Sequence, residues 1–133
     1  MRGNDEQHPI WAIRFNRRAR SDIAAAWRHF AGTAGEETAD TWQQGLDAEI
    51  AKLAQFPASR PLAEEDKLFR ESVRRMLYRR TPSGPAYQVL FVLRENPDDA
   101  PTVTIIHIRH AAQKPITRKE AREIESSEWV SRP

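Results

Sequence analysis

Six arginines and two histidines crowd the stretch Glu71–His110. Arg74, Arg75, Arg79 and Arg80 fall in its first ten residues, and Arg109 sits near its end beside His107 and His110. A guanidinium is always charged, and its planar fork binds phosphate or carboxylate. An imidazole titrates near neutrality, so His110 is a candidate acid or base. Tyr78 and Tyr87 offer rings on which a base can stack. His107 lies between Ile106 and Ile108 and reads as a structural histidine. In a strand, successive side chains point to opposite faces. That separates Arg74 from Arg75, Arg79 from Arg80, and His107 from His110. The stretch is therefore not one continuous catalytic patch, and a surface ion pair explains any single arginine about as well as a functional role.

The elements that must position these residues follow from periodicity. Glu71–His110 reads as a three-stranded antiparallel meander: Val73–Arg80, Ala86–Arg94 and Val103–Arg109. Thr81–Pro85 and Asn96–Pro101 supply the turn chemistry between them. Tyr87, Val89, Phe91 and Leu93 face one way, and Gln88, Leu90, Val92 and Arg94 the other. The third strand is apolar on both faces for most of its length, which predicts a central position.

Before the meander, Trp11, Ile13 and Phe15 alternate as in a half-buried strand over Ile10–Phe15. Asn16 is a good N-cap for a helix from Arg17 to about Ala31, with Ala19, Ile23, Ala26, Trp27 and Phe30 on one face. Thr33 and Glu36 have capping-box spacing for a second helix to about Gln55, striped by Ala39, Trp42, Leu46, Ile50 and Leu53. Gly45 inside it is read as allowing close approach of the two helices. Trp11, Trp27 and Trp42 read as core. Residues 57–68, with the acidic Glu64-Glu65-Asp66, read as a solvated loop. Thr117 and Glu120 form another capping box, opening a short helix to about Ser126. The fold class expected is α+β: one N-terminal strand, an antiparallel helical hairpin, then the meander, giving a four-stranded sheet packed by helices on one face, with a short C-terminal helix.

At 133 residues the chain reads as one domain with a real core. Residues 1–9 read as a disordered lead-in, 10–113 as the domain, and 114–133 as a C-terminal extension. The charge is +2 and the pI about 9.3, with arginine supplying most of the basic side chains. Such a surface suits a nucleic-acid target or an acidic protein partner. No apolar run spans a membrane and the N-terminus lacks a signal-peptide core. Without cysteine there is neither a disulfide framework nor a thiolate zinc site. The compartment expected is the cytoplasm, and neither cofactor nor metal is expected.

The order of strand, helix hairpin and meander resembles the RelE/ParE superfamily of toxins from type II toxin–antitoxin systems, and residues carry the likeness too. Phe15-Asn16-Arg17-Arg18-Ala19 with Asp22, Ile23 and Trp27 looks like that family's strand-to-helix junction. Leu53 with Phe56-Pro57 looks like the end of its second helix. Arg75 with Arg80, Tyr87–Val92 and Val103–His110 look like its sheet. The ordered set, over about residues 10–113, is far more specific than any piece.

The resemblance implies a toxin neutralised by a cognate antitoxin, whose acidic or amphipathic segment would meet the basic strand. Two branches differ in chemistry. A RelE-like toxin cleaves mRNA on the translating ribosome, which needs a base, an acid and cations around the phosphorane. Here those would be His110, Arg75, Arg80 and Tyr87. A ParE-like toxin binds and inhibits DNA gyrase without a known catalytic centre. It needs only a complementary surface, for which Arg74, Arg75, Arg79, Arg80, Arg109 and Trp129 are the candidates. The lysines that serve several RelE-like members have no counterpart near the sheet, and His110–Pro115 looks like a ParE-like strand end. The ParE-like branch is therefore favoured. A degenerate, non-toxic member or a plain nucleic-acid-binding domain is the third reading.

Overall fold

The computed structural model describes residues 9–130. Five strands and three helices follow in the order β1 (Ala12–Asn16), α1 (Arg17–Ala34), α2 (Glu36–Ala51), β2 (Arg74–Arg79), β3 (Ala86–Asn96), β4 (Asp99–His110), α3 (Arg118–Glu125) and β5 (Trp129–Val130). The predicted lead-in lies outside the described residues, save for its last residue, Pro9, which is exposed. The fold is the α+β arrangement expected from the sequence, with the antiparallel hairpin α1–α2 leading into the meander β2–β3–β4.

The sheet runs β2-β3-β4-β1-β5. β4 lies at its centre, as its two-sided apolar run requires. The meander pairs are antiparallel, whereas β1 runs parallel to β4, with Phe15 beside Ile105. The two-residue β5 adds antiparallel to the far edge of β1. The sheet thus has one short strand more than the four expected.

The alternation read from β3 sorts into two cores. Tyr87, Val89, Phe91 and Leu93 face the helical hairpin with Met76, Tyr78, Ile105, Trp42, Leu46 and Ile23. Leu90 and Val92 face away and join Ile106, Val73, Phe69, Ile116, Ala121 and Ile124. The expectation that helices pack only one face is corrected here, because the apolar side of α3 covers the other.

The junctions explain the helix limits. Asn16, 2% exposed, accepts the Ala19 amide at 2.7 Å and caps α1. Its Nδ2 reaches the carbonyl of Ile124 at 3.4 Å, and Arg17 N–H donates to Glu128 O at 2.6 Å. One residue thus starts α1 and ties it to the end of α3. Asn16→Ala should lower stability by about 1–2 kcal/mol, read as an earlier urea midpoint. Thr117 caps α3 as its spacing predicts, accepting from Glu120 N at 3.1 Å. The Thr33–Glu36 box does not form. Gly35 at φ +93° is the N-cap of α2, and Thr33 Oγ1 instead donates back to His29 O. The two helices meet at one glycine, leaving no loop in which a capping threonine can sit. Trp27 is also misplaced by its apolar spacing. It is half-buried, and its Nε1–H donates to Asp40 across the hairpin at 2.9 Å.

Candidate functional site

The end of the meander sets the geometry. Tyr87 pairs with His110 in register, and their rings meet edge to face at 5.2 Å between centroids. Tyr87 also packs on Trp42 at 5.1 Å and Phe30 at 6.0 Å, so the helical hairpin fixes its ring. Burial pushes the Tyr87 phenol above its ordinary range. It is neutral at neutral pH and can donate a hydrogen bond but not act as a phenolate base. The Ala112 amide donates to His110 Nδ1 at 3.0 Å. In that arrangement Nδ1 is the acceptor, which leaves Nε2 as the nitrogen that carries the proton of a neutral ring. A cleft of about 290 Å³ opens here, bordered by Tyr87, His110, Gln113, and Asp22, Ala26 and His29 of α1.

Arg75 is elsewhere, and Arg109 borders both this cleft and a second one. With Leu77 and Gln88 they line a groove of about 360 Å³ on the opposite face of the sheet. Arg109 is 6% exposed. Its guanidinium donates to the carbonyls of Gln113 and Lys114 at 3.1 and 2.5 Å, and faces Glu65 at 3.5 Å and Gln88 at 3.4 Å. It holds the turn after β4 in place. Arg74 donates to Arg60 O at 2.6 Å, and Arg79 to Gly84 O at 2.7 Å. The side chains of Arg75 and Arg80 have no hydrogen bond or ion pair among the described residues. Arg80 follows the last residue of β2. It lies near enough to Tyr78 to offset part of the rise that burial imposes on that phenol. The side chain of Trp129 lies outside what is described.

The structure therefore brings Tyr87 and His110 together on the helix side and sets Arg75 on the opposite face, while Arg109 borders both clefts. Among the described residues no three histidine or carboxylate side chains gather as metal ligands. Nor, among the described residues, is any helix long and apolar enough to cross a membrane.

The roles of three carboxylates were missed by sequence reasoning. Asp22 Oδ2 accepts from His107 Nδ1 at 2.6 Å and from Ile108 N at 2.9 Å. The readable signal was its position, three residues after Ala19 and four before Ala26, on the sheet-facing stripe of α1. Glu65 faces Arg109 and accepts from Gln88, and Asp66 accepts the Val73 amide at 2.7 Å. The acidic triplet is thus largely internal structure and not a solvated run.

Comparison with known proteins adds the decisive observation. The family described as "ParE toxin of type II toxin-antitoxin system, parDE" matches residues 13–115. The chain belongs to this family. The matched span of this ParE-family toxin runs from the second residue of β1 through β4 and includes the turn stapled by Arg109. Among solved structures, a chain titled "Chromosomal ParDE TA system from P. aeruginosa" shares the fold with a TM-score of 0.58. The two are 19% identical, and the alignment covers 76% of this ParE-family chain and 96% of that one. No curated protein sequence matches it closely enough to count as a relative.

Proposed function

We propose that this protein inhibits growth by binding DNA gyrase in the cytoplasm and is neutralised by a cognate antitoxin. The observation that carries this reading beyond family membership is the division of the basic and proton-transferring residues. Cleavage of RNA needs a phosphate clamp, an acid and a base around one phosphate, within hydrogen-bond reach. His110 and Tyr87 line a cleft on the helix side, Arg75 faces the other side, and Arg109, although it borders that cleft, has its guanidinium occupied by the fold. An inhibitor that acts by binding needs no such convergence, only surface.

Induced expression should stop growth with a DNA-damage response, and purified protein should inhibit gyrase supercoiling while translated mRNA stays intact by primer extension. His110→Ala should leave that inhibition within about threefold, less than the effect of about 10²–10⁴ expected for loss of a general acid or base. Codon-phased cuts that vanish in His110→Ala would instead establish the ribonuclease. Growth unaffected by expression would support a degenerate member. Co-expression of the protein encoded by the adjacent reading frame should restore growth.

A further inference from the structure

The outer edge of β2 is open over half its length. In a strand, the amide and carbonyl of one residue point to the same edge, and successive residues alternate. Arg75 N–H donates outward to Pro61 O at 3.0 Å, and Val73 O accepts from Ala63 N at 2.8 Å. Odd-numbered residues therefore face outward, while β3 lies on the other edge. Pro61–Ala63, bridged at Leu62 to Arg74, occupies the edge only up to Arg75. The next outward residues, Leu77 and Arg79, have no backbone partner among the described residues.

The side chains along this edge repeat a pattern. Arg75, Leu77 and Arg79 lie on one face, two residues apart. Leu77 is 47% exposed, Arg79 is exposed, and Arg75 is half-buried without a partner. Cation, apolar, cation at alternate positions is complementary to an extended segment carrying acid, apolar, acid at i, i+2 and i+4. A second copy of this chain fits poorly. An antiparallel pairing centred on Leu77 would set Arg75 against Arg79, and like charges directly opposite are destabilising.

We propose that the open edge of β2 is a strand-addition site for an extended acidic segment of the antitoxin. The segment continues the line begun by Pro61–Ala63, takes its backbone hydrogen bonds from Leu77 and Arg79, sets an apolar side chain on Leu77, and places carboxylates by Arg75 and Arg79. The proposal rests on the toxin–antitoxin reading above and adds to it which edge is used and in what conformation.

Hydrogen exchange on the full chain, alone and bound to the protein encoded by the adjacent reading frame, tests it. Amides 77 and 79 should exchange at least tenfold more slowly in the complex. Arg75→Glu with Arg79→Glu should weaken binding at least tenfold, increasingly so at low salt, whereas Arg17→Glu with Arg28→Glu on α1 should change it less than threefold. Leu77→Pro removes an outward amide without touching the β2–β3 ladder. It should also weaken binding, with an unchanged thermal midpoint showing that the fold survives. A complex that forms without protecting residues 77 and 79, or that is indifferent to the charge reversal, overturns the edge assignment alone. Failure of the unaltered chain to bind that protein overturns the toxin–antitoxin reading as well. Protection of both amides in a dimer of the free chain assigns the edge to self-association and also sinks the proposal.

Discussion

Gly45→Ala is expected to destabilise the protein by about 2–3 kcal/mol, the upper range for overpacking a well-filled core. Helix propensity alone argues the reverse, since alanine is favoured over glycine inside a helix by roughly 1 kcal/mol. The clash wins because of what the new Cβ meets. It would lie 2.2 Å from the hydroxyl oxygen of Tyr78 and 3.1 Å from the ring carbon bearing it. Tyr78 is 6% exposed, donates to Trp42 O at 2.9 Å and packs edge-on to the Trp42 ring. It cannot step aside without losing both contacts. The melting point should fall by on the order of 10 °C. Tyr78→Phe alone should cost about 1 kcal/mol, the usual net value of one hydrogen bond. In that background the added methyl meets no hydroxyl, and the penalty of Gly45→Ala should shrink to within about 1 kcal/mol of zero. Strictly additive losses would refute this assignment. The glycine admits the sheet's tyrosine to α2. It does not serve the helix–helix approach that its position in the sequence suggested.

The second large effect is expected at Asp22. Its Oδ2 accepts from both His107 Nδ1 and Ile108 N, and Oδ1 faces Arg18 Nε at 3.4 Å. The side chains of Asp22 and His107 are 16% and 6% exposed. Asp22→Ala leaves a buried ring nitrogen and a strand amide without an acceptor, and should cost about 3–5 kcal/mol, as when one partner of a buried pair is removed. Asp22→Asn keeps one acceptor oxygen and should cost less than half as much. Urea unfolding of the three proteins gives the order. Equal losses in both variants would show that the amide and imidazole have other acceptors.

These two sites show what the sequence could and could not reveal. Most local signals read true, the Thr33–Glu36 box and the placement of Trp27 excepted. The alternation of Trp11, Ile13 and Phe15, the caps at Asn16 and Thr117, and the two-sided apolar run of β4 each depend on neighbours a few residues away. The contacts that failed to show are long-range. Asp22 and His107 are 85 residues apart, and a register shift in the β3–β4 ladder beside Leu90 and Phe91 places the histidine. Strand alternation assumes no such irregularity. The candidate site divides similarly. That Arg74 and Arg75 face opposite ways was legible. That Arg109 would be consumed by the carbonyls of Gln113 and Lys114 was not, because it depends on how the chain turns after β4. The role of Ile116, Ala121 and Ile124 in a second core also escaped, since α3 is short and its apolar positions become meaningful only against the uncovered face of the sheet.

The parallel pairing of β1 with β4 has a consequence for how this protein is made. Phe15 lies beside Ile105, so the first strand emerges from the ribosome 90 residues before its partner. At about 5–20 residues per second, that is several seconds or more of synthesis. During that interval the hairpin and the first two meander strands can assemble locally, but the sheet lacks its middle and β1 has nothing to join. Non-local pairing of this kind slows folding, because the loop must close before any contact rewards it. The finished sheet, and with it the Tyr87–His110 pair, therefore forms only after β4 has been made. A partner that neutralised the protein as proposed would have the whole of that interval to meet the growing chain before β4 is made.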